Sequence, residues 1–421
     1  MRSVLFYFPE QLFGLPFLGW GLFLAAWLIV CVVVLVVSIR RQGWNAETQG
    51  YLPIMALIAA VIVFVMPRLG EPGVGLPIRG YGVMMLAGIV GGVGLSLRRA
   101  RERGIDPEHI YSLAFWMVAC GIVGARAYFV AKEWSSFQRH TLVETLVAII
   151  NIPEGGLVVY GSLFGAIGAF VYYTWRHQLS MLSVADIVAP SMMVGLALGR
   201  IGCFLNGCCF GSECDLPWAV RFPWQSPPHV QHVRQGLVYL HGIKIAADDQ
   251  GKPIVGDVQA DSLAAAQGLK AGQKVLMVQG LPAVTARFAE DALFSVAPTD
   301  SQVTIVTEGD TQPRTWTLSL ASERSRPIHP AQLYATFGAL LVVVVLLGWE
   351  PYRRTDGEVF AMFLVVYPTL RFVEEMLRRD EPTYGGLKIA QWISVGLIVA
   401  GSVLWIKLRR GVGDGEVREH G

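Results

Sequence analysis

Apolar stretches long enough, or nearly so, to cross a bilayer recur along the chain at about 15–39, 52–69, 81–97, 112–131, 156–175, 183–204, 331–349, 358–376 and 390–408. Backbone in hydrocarbon must satisfy its own N–H and C=O groups, so such runs fold as helices. The pattern predicts an all-α polytopic membrane protein of about nine transmembrane helices. Composition agrees, since 53% hydrophobic against 16% charged residues, with a mean hydropathy of +0.48, lies outside the range of soluble domains. The weakest run is 52–69, which Pro53 and Pro67 bracket and which reads equally as a re-entrant segment. The first run is too long for a signal peptide and lacks a small-residue cleavage site, so it reads as a retained helix.

Basic residues fall in alternate loops: Arg40 and Arg41, then Arg98, Arg99, Arg101 and Arg103, then Arg176, then Arg353 and Arg354, then Lys407, Arg409 and Arg410. The positive-inside rule places these loops in the cytoplasm, with the N-terminus outside and the tail 411–421 inside. Residues 207–327 then face the outside. A formal net charge of +2 without a basic tract gives no reason to expect a nucleic-acid partner.

Residues 222–328 interrupt the apolar pattern and read as an inserted soluble domain. Ile254, Val255 and Val258 predict a strand, 261–266 a capped short helix, and 274–280 a strand closed by a turn. The stretch from Asp261 to Gly280 resembles the core of a bacterial PDZ domain, which implies a small, mostly β domain and a peptide or protein ligand added to a sheet edge. A spacer without a ligand is the alternative.

Candidate chemistry gathers at Gly199-Arg200-Ile201-Gly202-Cys203-Phe204-Leu205-Asn206-Gly207-Cys208-Cys209-Phe210-Gly211, where a long apolar run ends. An arginine at such a depth costs at least ~2.5 kcal/mol unless it meets an anion or acceptors. The glycines permit close backbone approach, and Asn206 adds donors. A second arginine, Arg371, lies one helical turn after Tyr367. Glu374 or Glu375 could neutralise it, but two buried arginines from separate helices point to a phosphate-bearing substrate. His329, Gln332 and Tyr334 stand together at the start of another helix, and Tyr160 lies among glycines near the outer end of its own. The spacings Gly88-xxx-Gly92 and Gly161-xxx-Gly165 predict close helix packing.

These residues carry a resemblance. The blocks Arg79-Gly80-Tyr81-Gly82, Gly124-Ala125-Arg126-Ala127-Tyr128, Gly155 through Gly161, Asp186 to Pro190, the Gly199–Gly211 signature, His329 to Tyr334, and Tyr367 to Glu374 with Gln391 resemble, in this order, the bacterial prolipoprotein diacylglyceryl transferases. The resemblance implies a seven-helix body, here preceded by two extra N-terminal helices in 1–79 and divided into 80–221 and 329–410 by the insert. It implies transfer of a diacylglyceryl group from phosphatidylglycerol to the cysteine of prolipoprotein signal peptides at the bacterial inner (cytoplasmic) membrane, with no metal or organic cofactor. Arg200 and Arg371 would balance the phosphate, with Tyr160, His329 or the phosphate oxygen itself as candidate proton acceptors. Tyr81, Arg126, Asn206, Gly211, Gln332 and Tyr367 would bind substrate.

The chain departs from the family at several positions. Tyr160 stands where the family usually has histidine, and Cys203 and Cys208 stand where its signature has asparagine and glutamate. Cys203, Cys208, Cys209 and Cys214 share one stretch, so a membrane thiol-disulfide oxidoreductase is one alternative, and an anion transporter using Arg200 and Arg371 is another. Four cysteines could also hold zinc, although the spacing lacks a Cys-x-x-Cys pair. On the transferase reading they tie the loop together by disulfide or close packing.

Overall fold

The structure is a computed structural model that describes residues 4–12, 14–71, 73–138, 141–151, 156, 158–295, 302–317, 324–376 and 383–419. It divides into two compact units, one of residues 1–84 with 205–207, the other of 85–204 with 208–421.

In the first unit, β1 (Val4–Phe8) is followed by a short hairpin, β2 (Gln11–Leu12) and β3 (Leu15–Pro16), and then by α1 (Leu22–Gln42). The apolar run predicted as helix from 15 therefore starts as strand. Pro16 and the positive φ of Gly14 and Gly19 keep the chain out of helical geometry until Leu22. α2 (Ala46–Ala60) is capped by Asn45, whose side chain accepts from the Thr48 N–H at 2.9 Å. It continues through a π-helical turn, Val61–Val65, into α3 (Met66–Leu69). Thr48–Leu69 is thereby long enough to cross a membrane, because the helix passes through Pro53 instead of stopping there. Trp27 Nε1 donates to the Met55 carbonyl at 3.2 Å, joining α1 to α2. β4 (Leu76–Arg79) pairs antiparallel with β1.

α4 (Gly80–Glu102) starts in the first unit and continues into the second, followed there by α5 (Pro107–Lys132), α6 (Trp134–Phe137), α7 (Leu142–Ile150), α8 (Val159–Arg176) and α9 (Met181–Asn206). The glycine spacings do what was expected of them. A Cβ on Gly92 would meet the Ser191 carbonyl at 2.9 Å and one on Gly88 the Gly195 carbonyl at 3.2 Å, while Gly161 and Gly165 of α8 lie against Gly124 and the Cys120 carbonyl of α5. These pairs let helix backbones touch. Gly155 and the rest of 152–155 lie outside the described residues.

The insert forms its own core around Leu240, Ile243, Val255, Leu293, Val303 and Ile305, all essentially buried. Its elements are α10 (Pro227–Arg234), β5 (Ile243–Ala247), β6 (Pro253–Val258), α11 (Leu263–Ala266), β7 (Val275–Val278), β8 (Leu281–Pro282), α12 (Ala286–Phe294), β9 (Gln302–Thr307) and β10 (Arg314–Thr317). The sheet order is β10-β9-β7-β8, with β5 and β6 forming a separate pair. Both strands and the short helix expected from the sequence are present. Ser262 caps α11 by accepting from the Ala265 N–H at 3.1 Å, and Gln279 and Gly280, both at positive φ, make the turn after β7. The neck is clasped: Glu213 and Val220 bridge Ile328, Pro223 bridges Arg324, and the Phe222 and Ser325 backbones are tied at 2.9 Å.

The chain then forms α13 (Ala331–Trp349), α14 (Glu358–Met376), the hairpin β11 (Thr383–Tyr384) and β12 (Leu387–Lys388), and α15 (Ile389–Glu419). Among the described residues seven helices are long and apolar enough to cross a membrane, which makes this a multi-pass membrane protein. α8 and α14 complete the nine expected helical segments but are less apolar, α14 because it carries Glu358, Arg371, Glu374 and Glu375.

A buried polar knot joins α4, α9, α13 and α14. Asp186, fully buried, accepts from the N–H groups of Gly357 at 2.9 Å and Phe360 at 2.8 Å, so it caps the start of α14 from another helix. Arg103 reaches Glu350 at 2.8 Å and Asp186 at 3.4 Å, while Arg99 donates to the Asp186 carbonyl at 2.7 Å. Both arginines, counted above as loop charges, are inside the protein. Arg98 and Arg101 remain on the surface.

Candidate active site

Arg200, on the last two turns of α9, and Arg371, on α14, both act electrostatically on Tyr367 and Glu374. The two arginines, on separate helices, thus lie near the same two side chains. They are unequally engaged. Arg371 Nη2 lies 2.6 Å from Glu375 Oε2 and its Nη1 4.0 Å from Glu374 Oε2, whereas Arg200 has no ion pair or side-chain hydrogen bond among the described residues. Tyr367 stacks on Phe363 at 5.6 Å, and Gly338 of α13 makes room for Glu374, whose Oε1 would be 3.2 Å from a Cβ there. Lys388 supports Glu375 from below, its Nζ donating to the Glu375 carbonyl at 2.7 Å. Gln391 accepts from the Lys388 N–H at 3.0 Å and donates to the Phe372 carbonyl at 3.4 Å. A guanidinium outside any close ion pair, with a phenol and a carboxylate nearby, suits an incoming anion.

The signature loop is held against the start of α13. Gln332, fully buried, donates through Nε2 to the Cys208 carbonyl at 2.7 Å, so its grip is on the loop backbone. Gly211 N–H donates to the His329 carbonyl at 3.1 Å, and His329 N–H to the Ser212 carbonyl at 3.0 Å. A Cβ on Gly211 would come within 2.7 Å of His329 Cβ, so this position is glycine for close approach. Tyr334 accepts from Trp218 Nε1 at 2.7 Å and faces His329 Nδ1 at 3.4 Å. Trp218 escaped the sequence reading because nothing in its neighbourhood announces a partner 116 residues away.

Other expected site residues have different surroundings. Arg126 is buried and spends its guanidinium on carbonyls at the end of α7: Ile149 at 2.7 Å, Ala148 and Asn151 at 2.9 Å, with Gly156 at 3.3 Å. Phe129 and Phe137 flank it at 5.6 and 5.3 Å. It caps a helix C-terminus, and substrate would have to displace those carbonyls to reach it. Tyr160, in the first turn of α8, is half exposed and makes no side-chain hydrogen bond among the described residues. Tyr81, in the first turn of α4, and Asn206, the exposed last residue of α9, belong to the first unit.

None of the six cysteines is in a disulfide. Cys203, Cys208 and Cys209 have all three sulfur atoms within 4.8 Å of one another. Cys214 is not in that group; its N–H donates to the Pro327 carbonyl at 3.1 Å, in the neck of the insert. The expected tie between loop and insert is therefore made by backbone, and the thiols are packed without being bridged.

A family model described as prolipoprotein diacylglyceryl transferase matches residues 73–407. A phosphatidylglycerol–prolipoprotein diacylglyceryl transferase of Rhodopirellula baltica is 32% identical over 98% of this chain and 90% of its own length. The enzyme of the same name from Finegoldia magna is 22% identical over 82% of this chain and 97% of its own, and that from Thermosynechococcus vestitus 40% identical over 37% of this chain and 56% of its own. Neither an oxidoreductase nor a transporter is among these relatives. With its ordered motifs, its converging arginines and a match over most of its length, the chain belongs to the prolipoprotein diacylglyceryl transferase family.

Proposed function

We propose that the protein transfers the diacylglyceryl group of phosphatidylglycerol to the lipobox cysteine thiol of prolipoproteins, at the bacterial inner membrane. The observation that carries this is that Arg200 and Arg371, from separate helices, both lie near Tyr367 and Glu374, with Arg371 held in an ion pair and Arg200 in none among the described residues. The thiolate attacks the glycerol carbon that bears the phosphodiester, the C–O bond breaks, and its electron pair leaves on the phosphate oxygen as glycerol phosphate. Charge builds on that oxygen in the transition state. A preorganised arginine there is worth about 3–4 kcal/mol, because it needs no reorganisation as the charge develops. Arg371, fixed by Glu375, sets the geometry, and Tyr367 orients the headgroup. Gln332, Gly211 and His329 act by holding the signature loop, and Arg126 through the helix whose end it caps. The roles of Tyr81 and Asn206 rest on the family resemblance alone.

The membrane body has nine helices on this reading, with N-terminus and insert outside and the C-terminal tail in the cytoplasm. The insert is PDZ-like, a reading supported by the β6, α11 and β7 succession and by a separate core, and its ligand would be a peptide or protein segment.

The test is direct. Purified protein in nanodiscs receives phosphatidylglycerol and a lipobox peptide, and the peptide mass is followed. A gain of one diacylglyceryl unit on the cysteine is expected; an unmodified peptide would overturn the assignment.

A further inference from the structure

We propose that Cys203, Cys208 and Cys209 bind one zinc ion through three thiolates, leaving its fourth position for the thiol of the incoming lipobox cysteine. The inference rests on the transferase reading for its chemical purpose, and on the loop geometry for its site.

The loop is shaped to converge sulfurs. Cys203 lies in the last turn of α9. The chain leaves the helix through Gly207 at φ +77, the Cys208 N–H returns to the Cys203 carbonyl at 3.1 Å, and Cys209 takes the left-handed conformation at φ +59. A β-carbon-bearing residue occupies that conformation only when its surroundings insist. The buried Gln332 clamps the Cys208 carbonyl at 2.7 Å, so the turn is fixed from a second element. The result is three sulfurs within 4.8 Å of one another. Zinc–sulfur bonds of ~2.3 Å in a tetrahedron set sulfurs ~3.8 Å apart, a closure within reach of thiol rotation.

The ligand count also speaks. Three protein ligands with one open position is the pattern of catalytic zinc, and Cys214, the nearest further cysteine in sequence, is engaged at the neck instead. The site lies where the reaction needs it: Arg200 and Cys203 are i and i+3 on α9, on the same helix face. A thiolate held at the metal would therefore stand within one helical turn of the arginine that receives the phosphate.

The reaction needs a thiolate, and neither candidate base is well placed to make one. Among the described residues Tyr160 makes no side-chain hydrogen bond that could activate it, and His329 Nδ1 is engaged with the Tyr334 hydroxyl at 3.4 Å. Zinc makes a base unnecessary, because a coordinated thiol is deprotonated outright. The balance closes without an oxidant or reductant. The substrate thiol binds zinc and loses its proton to water; the zinc-bound sulfur forms the C–S bond; the C–O bond breaks, and glycerol phosphate takes the electron pair. The thioether, a weak ligand, then leaves the metal, and the next thiol replaces it. This differs from the cofactor-free expectation that the family resemblance gave.

The experiment is elemental analysis of the purified full-length protein. One zinc per chain is expected, falling to near none in Cys203→Ser, Cys208→Ser and Cys209→Ser and unchanged in Cys120→Ser. Because a serine variant can misfold, the wild-type protein is also loaded with cobalt. A thiolate-to-cobalt charge-transfer band should appear and should change on adding a lipobox peptide, but not on adding its serine analogue. Folded serine variants should lose transfer on the order of 10²-fold or more. A wild-type protein that transfers diacylglyceryl yet holds no metal, or keeps its rate after complete chelation, overturns the site and leaves the transferase reading standing. A cobalt spectrum indifferent to the peptide overturns the open position. Zinc bound in full with no transfer sinks the transferase reading instead.

Discussion

Arg371 lies 2.6 Å from the carboxylate of Glu375, which is fully buried one helical turn further along α14. The contact is an ion pair without an aligned hydrogen bond, and Lys388, at 3.9 Å, is the other cation near the same carboxylate. Arg371→Ala should therefore destabilise the protein by about 3–5 kcal/mol as well as abolish transfer, since it strands a buried charge. Adding Glu375→Gln should recover most of the stability and none of the activity. Thermal melts with the peptide-mass assay read both, and a double variant that turns over normally would remove Arg371 from the chemistry.

Arg200 predicts the opposite division. Because Arg200 is in no close ion pair or side-chain hydrogen bond among the described residues, Arg200→Ala should cost much less stability than Arg371→Ala while transfer drops on the order of 10²–10³-fold. Arg200→Lys should also fail, because a point charge does not replace a planar fork on phosphate. Equal loss of stability and rate would mean that Arg200 holds the fold together.

Gly211→Ala places a Cβ 2.7 Å from His329 Cβ and 3.0 Å from its carbonyl oxygen. The loop must shift away from α13, at a cost of about 1–3 kcal/mol. The expected readout is faster proteolysis within 208–214 together with slower transfer. An alanine variant with wild-type protection there would show that the contact is not needed.

A reporter fused within 230–320 should read outside and one after Arg410 inside. With Arg99 and Arg103 buried in the polar knot, the orientation signal of that loop falls to Arg98 and Arg101. Replacing these two with glutamine should weaken the topology without unfolding the protein; inverted reporter signals in the wild type would overturn the orientation.

In the insert, the Arg314 guanidinium beside Asp310 holds its carboxyl down at about 2, with help from Thr307. A depressed carboxyl pKa stabilises the fold at pH values above the unfolded value of ~3.9, and the benefit is lost as pH falls from there towards the folded value. Asp310→Asn should remove this part of the acid sensitivity, measured as hydrogen exchange of β9 and β10 against pH. An unchanged acid profile in the variant would refute the assignment.

What could be read from the residues was local or periodic. Apolar runs announced the helices, and the sequence offered Glu374 or Glu375 as a partner for Arg371 without choosing between them. The glycine spacings announced close packing, and the clustering of cysteines announced a thiol-rich turn. What could not be read depends on partners far along the chain. β1 pairs with β4 some seventy residues later, Asp186 caps a helix that starts at Glu358, and Trp218 meets Tyr334. Arg126 shows the limit best, because its motif was visible while its acceptors, the carbonyls of α7, exist only once that helix has formed.

The clasped neck of the insert separates two costs that a long loop usually combines. For an unpinned loop of roughly a hundred residues, each doubling of length adds about 0.6 kcal/mol of closure entropy that the surrounding structure must absorb. Here Val220, Pro223, Arg324 and Ile328 close the loop at its base, and beyond this clasp His232 of α10 also meets Phe210 of the signature loop, so length added farther out in the insert is not felt as closure entropy. Lengthening a surface turn of the insert, far from His232, should therefore leave the membrane body undisturbed, because the rim has already closed the loop.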